Sequence, residues 1–270
     1  MSADRVSATP ARATVVSSRP LLITGGAGFV GCNLAAHFAG QGRPVRILDN
    51  LSRPGVRHNL DWLRARFGRR IEFIRADVRD AAAVASAVAG CTQVFHLAAQ
   101  VAVTTSLVDP RQDFEINLGG TFNLLEAARR QSRPPGIVFA STNKVYGNLA
   151  HLVMQAHESR YAPADAALAA HGINEWQPLA FCSPYGCSKG GADQYMLDYA
   201  HSFGVPAAVL RMSCIYGPRQ FGTEDQGWVA HFLLRAIAGE PITIYGDGKQ
   251  VRNVLFVDDL VAAFAQAEQN

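Results

Sequence analysis

From Pro20 to Ser141 the chain alternates brief apolar runs with longer segments whose apolar residues recur at three- and four-residue steps. The runs "LLIT" (21–24), "VRILD" (45–49), "IEFIRAD" (71–77), "QVFHLAA" (93–99) and "GIVFAS" (136–141) predict buried strands, each short and bounded by turn residues or polar positions. Helical spacing fills the intervals. It opens with "GFVGCNLAAHFAGQG" at Gly28, returns near 58–67, covers "AAAVASAVAG" up to Gly90, and spans "DPRQDFEINLGGTFNLLEAARRQ" (109–131) as one long helix or a kinked pair. Strands that alternate with helices are joined by right-handed crossovers. The pattern therefore predicts an α/β fold with a doubly wound parallel sheet of Rossmann type.

After Gly147 the periodicity lapses for residues 148–184, a stretch rich in Ala, His and Pro. A loop of that length inside a compact domain is usually functional. A helix from Tyr185 to Phe203 comes next, then the strand "AAVLR" (207–211), a loop, a helix over 227–238, a short strand "ITIY" (242–245) and the run "VLFVDDLVAAFAQA" (254–267). The expected organisation is a disordered tail over 1–18, a dinucleotide-binding domain over 19–215 with a substrate-side loop at 148–184, and a partial substrate lobe over 216–270. The first eighteen residues lack the apolar core of a signal peptide, and no apolar run is long enough to span a bilayer.

Composition narrows the chemistry. Hydrophobic residues make up 49% of the chain, as a packed globule requires, and the net charge of +3 is too small to suggest a nucleic-acid partner. Arg64, Arg66, Arg69 and Arg70 read as a solvated helix end. Five cysteines, an odd number with no Cys-x-x-Cys spacing, point to free thiols in a reducing cytoplasm. The scattered histidines offer no zinc cluster, so no metal is expected.

The string "TGGAGFVG" sets Gly25, Gly28 and Gly31 three residues apart, directly after a strand and at the start of a helix. The first glycine permits the tight turn, the second lets a pyrophosphate reach the backbone, and the third lets helix pack on strand, with phosphate charge facing the helix N-terminus. Asp49 ends the next strand, where a carboxylate accepts from a ribose diol and repels a 2′-phosphate. NAD is favoured over NADP on this ground, although Arg46 and Arg53 stand close enough to keep NADP open. Asp77 ends the third strand and has two readings, adenine recognition or capping of the next helix.

In "SPYGCSKG", Tyr185 and Lys189 are four residues apart and share one helix face. Thr142, at the end of the strand 136–141 and inside "STNKVYG", adds a hydroxyl where parallel sheets bind ligands. A nearby ammonium and an oxidised nicotinamide both favour a tyrosine phenolate, which needs a fall of about 3 pH units from its ordinary value to act as a base near neutrality.

With "TGGAGFVG", "DN" at 49–50, "HLAAQ", "STNKVYG", "YGCSK" and "GDGKQVRNVLFVDDL", the chain resembles the nucleotide-sugar epimerase/dehydratase group of the extended short-chain dehydrogenase/reductases from Leu21 to Ala267. The resemblance implies Thr142, Tyr185 and Lys189 as a catalytic triad and NAD as a tightly held cofactor. The cofactor would be lined by Gly25, Gly28, Phe29, Val30, Gly31, Asp49, Asn50, Asp77, Val78, Leu97, Ala98, Ala99, Gln100 and Asn117. On the substrate side it implies a nucleotide sugar, with Arg252 at its pyrophosphate and Asn143, Lys144, Cys214 and Gln226 as further contacts. Lys144 has an alternative reading as a solvent-facing lysine, and Trp228 as a core residue.

The group's dehydratases place two carboxyls directly after the strand-end threonine, and Asn143 and Lys144 stand there instead. An amide cannot serve as the acid and an ammonium is a poor carbon base, so the resemblance implies epimerisation without loss of water. "STNKVYG", "SPYGCSKGGADQYMLDYA" and "RQFGTEDQGWVAHF" are most similar to the branch that inverts C2 of a CDP-linked 3,6-dideoxyhexose. A 4-epimerase of the same fold and a catalytically silent dinucleotide-binding protein are the alternatives. Family members continue well beyond the "VDDL" helix. Their usual homodimer would use the helices near 109–131 and 185–203.

Overall fold

A computed structural model of the chain describes residues 19–269; the segment expected to be a tail lies outside the described residues. In chain order the first half comprises β1 (Leu21–Thr24), α1 (Phe29–Gly40), β2 (Val45–Asp49), α2 (Val56–Phe67), β3 (Ile71–Arg75), α3 (Ala81–Val88), β4 (Gln93–His96), α4 (Val103–Val108), α5 (Pro110–Phe114), a π turn (Glu115–Gly119), α6 (Gly120–Arg129) and β5 (Gly136–Thr142). The second half holds the hairpin strands β6 (Met154–Ala156) and β7 (Tyr161–Pro163), then α7 (Ala166–His171), α8 (Ser183–Phe203), β8 (Ala207–Met212), β9 (Cys214–Tyr216), α9 (Trp228–Ala238), β10 (Val254–Phe256) and α10 (Val257–Ala267).

Six parallel strands form the main sheet in the order β3-β2-β1-β4-β5-β8. The order reverses between β1 and β4, which opens a crevice at their C-terminal ends. Both faces are covered, which is why the strand runs are apolar at successive positions. Leu21 and Ile23 join Phe38, Phe95 and Phe264 in one layer, whereas Leu22 joins Leu48, Val94, Leu124, Phe139 and Met196 in the other.

Several elements differ from the sequence pattern, each for a physical reason. The strand expected over 93–99 stops at His96, because the N–H groups of Leu97 and Ala98 turn to the Thr24 hydroxyl, 3.2 Å away in each case. The run 109–131 is helical from Pro110 to Arg129, capped by Asp109, and widens into the π turn at Glu115–Gly119. Helix α4 was not foreseen, and neither were the hairpin β6–β7 and α7 inside the loop 148–184. The expected strand "ITIY" does not form. No described strand lies alongside it, and the neighbouring turn is instead tied to Tyr161 by Asp247 and by the Lys249 carbonyl. Arg64, Arg66, Arg69 and Arg70 are exposed at the end of α2 and just beyond, as expected.

Candidate active site

The glycine turn is built by close contact. Gly25 has φ +68°, and a Cβ there would lie 2.8 Å from the Ala98 nitrogen, so the turn abuts the "HLAAQ" segment. A Cβ at Gly31 would lie 2.3 Å from the Gly25 oxygen, which lets α1 press directly onto the turn. A Cβ at Gly28 would meet only the Gly25 oxygen, at 3.1 Å. No side chain caps α1, and the N–H groups of its first turn lack intrahelical acceptors, which suits them to a phosphate.

Asp49 sits at the end of β2 and accepts from the N–H groups of Ala27 (3.1 Å) and Leu51 (2.8 Å). Burial raises its pKa, against those hydrogen bonds and the nearby Arg53. Arg46 is not available to a 2′-phosphate: its guanidinium is held by Glu72 and by the carbonyls of Ala87 and Ala89. That removes one of the two cations that left NADP open. Asp77 is not the cap of α3; Asp80 is, accepting from Ala82 and Ala83 N–H. Asp77 instead receives Asn50 Nδ2 at 2.9 Å and is clasped by Arg79, whose hydrogen bonds hold its carboxyl down to about 2.

Tyr185 and Lys189 lie on α8 against the end of β5. Both are buried, as is Thr142. Ser183, just before the tyrosine, takes φ +68°, an uncommon value for a residue with a side chain. The Tyr185 N–H donates to Ser106 Oγ of α4. Lys189 Nζ donates to the Ala140 carbonyl at 2.7 Å and stands 4.1 Å from the Phe139 ring centroid. Burial pushes the phenol of Tyr185 up; a hydrogen bond from Thr142 opposes the rise and the charge of Asp113 adds to it. Burial draws Lys189 down to about 7, against the pull of Asp193 and Asp113. Without the cofactor the phenol is therefore not lowered, because desolvation outweighs the Thr142 hydrogen bond.

Comparison with known proteins fits this geometry. The model of the NAD dependent epimerase/dehydratase family matches residues 21–270. The chain belongs to that family. The CDP-paratose 2-epimerase of Salmonella typhi is 47% identical over 93% of this chain and 75% of its own length. A UDP-glucose 4-epimerase of Mycolicibacterium smegmatis is 33% identical over 91% of this chain and 72% of its own. A crystal structure of Thermus thermophilus UDP-glucose 4-epimerase in complex with NAD superposes with a TM-score of 0.76 at 35% identity, covering 93% of this chain and 75% of that one. As a member of the epimerase/dehydratase family the chain is an NAD-dependent enzyme, and its glycine turn and Asp49 suit that cofactor.

Within this family member the expected substrate residues are less gathered than the triad. Asn143 and Lys144 form an exposed 3-10 turn after Thr142, and Asn143 Nδ2 lies 3.4 Å from Ser213 Oγ. Cys214 opens β9 and is half-buried. Gln226 donates to the Val101 carbonyl at 2.8 Å, which ties the 223–228 segment to the end of "HLAAQ". Trp228 is not a core residue: it is 38% exposed and edges onto Phe232. Arg252 is exposed and bonds Gln250, so no described contact brings it to the triad.

Two buried constellations are not evident from the sequence. Asp193, one turn beyond Lys189, receives Ser141 Oγ and both Nε and Nη2 of Arg211; its four-residue spacing from Lys189 was the available signal. A second line runs from the Thr24 hydroxyl to His96 Nδ1 (2.7 Å), from His96 Nε2 to Thr121 (3.0 Å), and from Thr121 to the Asn117 carbonyl (2.5 Å). Thr24 Oγ1 already accepts two N–H groups, so its proton faces Nδ1 and His96 is a neutral Nε2–H tautomer. All five cysteines are free. Among the described residues no cluster could hold a metal, and no helix is long and apolar enough to cross a membrane.

Proposed function

We propose that the chain inverts C2 of CDP-paratose to give CDP-tyvelose. The observation that carries this reading is the 47% identity to the Salmonella typhi 2-epimerase over nearly the whole chain, joined to a strand end that offers Thr142, Asn143 and Lys144 and no acid. When bound, NAD supplies a reversible hydride acceptor. Tyr185 Oη takes the proton of the sugar 2-hydroxyl and returns it after the keto sugar has turned over. Thr142 steers that hydroxyl, and the Lys189 ammonium stabilises the phenolate. Because the residues after Thr142 can neither protonate a leaving hydroxyl nor remove a carbon-bound proton, water is retained. Asn143, Lys144, Cys214, Gln226 and Arg252 are the residues assigned to the nucleotide sugar. Gly25, Gly28, Phe29, Val30, Gly31, Asp49, Asn50, Asp77, Val78, Leu97, Ala98, Ala99, Gln100 and Asn117 are those assigned to NAD.

The test is incubation with CDP-paratose, UDP-glucose and dTDP-glucose in separate reactions, read by NMR. Inversion at C2 of the first supports the reading. Inversion at C4 of UDP-glucose alone replaces it with the 4-epimerase reading, and a 4-keto-6-deoxy product from dTDP-glucose overturns the argument from the missing carboxyls.

The enzyme is further read as a cytoplasmic homodimer. Exposed Phe122 on α6 and Tyr195 on α8 meet edge to face at 6.0 Å, and both rings adjoin Tyr199, which in turn meets exposed Phe203 at 4.7 Å. A contiguous apolar surface of this kind marks an interaction face. Sedimentation of a Phe122→Glu, Tyr195→Glu variant should show monomers where the parent shows dimers.

A further inference from the structure

Asp113 on α5 is wholly shielded from solvent. Its hydrogen bonds run through Asn117 and Ser188. The Gln100 N–H donates to Asn117 Oδ1 at 2.9 Å, and a backbone N–H can only donate, so the Asn117 amide nitrogen faces the other way. That nitrogen donates to Asp113 Oδ1 at 3.1 Å and to Ser188 Oγ at 3.0 Å. Ser188 Oγ accepts from that nitrogen, and of the two acceptors within its reach, Asp113 Oδ2 at 2.5 Å and the Tyr185 carbonyl at 3.2 Å, the carboxylate is much the nearer and takes its proton. Both carboxyl oxygens then accept, the pattern of an anion; burial raises the carboxyl's pKa, and the Ser188 hydrogen bond and the charge of Lys189 oppose that rise.

Ser188 immediately precedes Lys189. The titratable groups whose charge couples to Lys189 are Asp193 on its own helix, Asp113 across from it and His96 on β4, and Tyr185 lies one turn earlier on α8. His96 is neutral, and Asp193 is committed to Arg211 and Ser141. Asp113 is the negative charge in this set that no cation neutralises directly.

We propose that Asp113 is a positioning residue: through Ser188 and Asn117 its carboxylate orients the turn of α8 that bears Lys189, and its negative charge favours the Lys189 ammonium over the amine. Asn117 links the same carboxylate to the Gln100 backbone, so the cofactor-side loop and the lysine share one anchor. The proposal rests on Lys189 as the group that stabilises the Tyr185 phenolate, but its test needs no turnover.

The chain has three lysines, Lys144, Lys189 and Lys249, so 13C-lysine labelling gives a resolvable titration of each ε-carbon. In the parent protein Lys189 should titrate near its depressed value of about 7. Asp113→Asn keeps the size and loses the charge, and should lower that midpoint by about one pH unit. Ser188→Ala, which keeps the carboxylate but lets it turn away, should give a smaller fall, and Asp113→Glu should restore part of the Asn loss. Unmoved Lys144 and Lys249 signals certify the fold. An unchanged Lys189 midpoint in both Asp113→Asn and Ser188→Ala overturns the proposal. Failure of the epimerase reading would leave this titration intact.

Discussion

Replacing Asp193 with alanine tests how the catalytic segment is held. The carboxylate is fully shielded and accepts from Ser141 Oγ at 2.6 Å, Arg211 Nε at 2.9 Å and Arg211 Nη2 at 2.8 Å. These partners come from β5 and β8, so one side chain of α8 clamps two strands. The Arg211 side chain left behind is only 15% exposed, and its guanidinium retains Tyr146 Oη as a partner. A buried charge that loses its counter-ion costs about 3–5 kcal/mol. At about 2–4 °C per kcal/mol for a chain of this size, the melting temperature should fall by roughly 6–20 °C. The assay is a denaturation series on Asp193→Ala, Arg211→Met and the double variant at neutral pH. Removing both charges leaves no orphan, so the double variant should be more stable than the sum of single losses predicts, by about 2 kcal/mol. Burial raises the Asp193 pKa, but the bonds from Arg211 and Ser141 outweigh it and hold the carboxyl below its ordinary range. The contribution is therefore complete above the ordinary carboxylate pKa and disappears as pH falls through the folded value. Strictly additive losses, or a single variant within about 1 kcal/mol of the parent, would refute the clamp.

His96 is buried neutral with its pKa drawn down to about 3, chiefly by burial. The unfolded chain takes up that proton first, so stability is complete above the ordinary histidine pKa and declines as pH falls below it; the loss attributable to His96 between pH 7 and 5 should be about 2 kcal/mol, absent from a His96→Gln variant in denaturant titrations at both pH values. Gly31→Ala places a Cβ 2.3 Å from the Gly25 oxygen, and should weaken NAD binding at least tenfold by calorimetry, whereas Gly40→Ala, with its nearest neighbour at 4.0 Å, should bind as the parent does; equal affinities would contradict the packing role of the third glycine.

The sheet and the glycine turn could be read from the chain because their signals are local: apolar runs of strand length, glycines at fixed steps, Tyr185 and Lys189 one helical turn apart. What could not be read depends on partners distant in sequence. "ITIY" alternates as a strand should, yet has no neighbour to pair with. Arg46 looked free for a phosphate because nothing local reveals the helix-end carbonyls that hold it. The hydroxyls of Ser106 and Ser188 are unremarkable in sequence and gain meaning only when α4, α5 and α8 converge. The burial of Tyr185, which raises its phenol, is hidden for the same reason: the lysine one turn away is visible in the motif, and the packing around it is not.

The widened turn at Glu115–Gly119 carries one residue more than a regular turn, so the helix on its N-terminal side is rotated by about 100° relative to the helix on its C-terminal side. One rod thereby presents different faces on the two sides of the turn: the segment before it offers Asp113 to the catalytic helix, and the segment after it packs Leu124 and Leu125 into the layer on the sheet while Phe122 and Glu126 still reach α8. Each stretch can drift in composition without disturbing the other. Deleting a single residue there would bring the two back into phase, and the carboxylate would swing off the catalytic helix while the hydrophobic layer stayed closed.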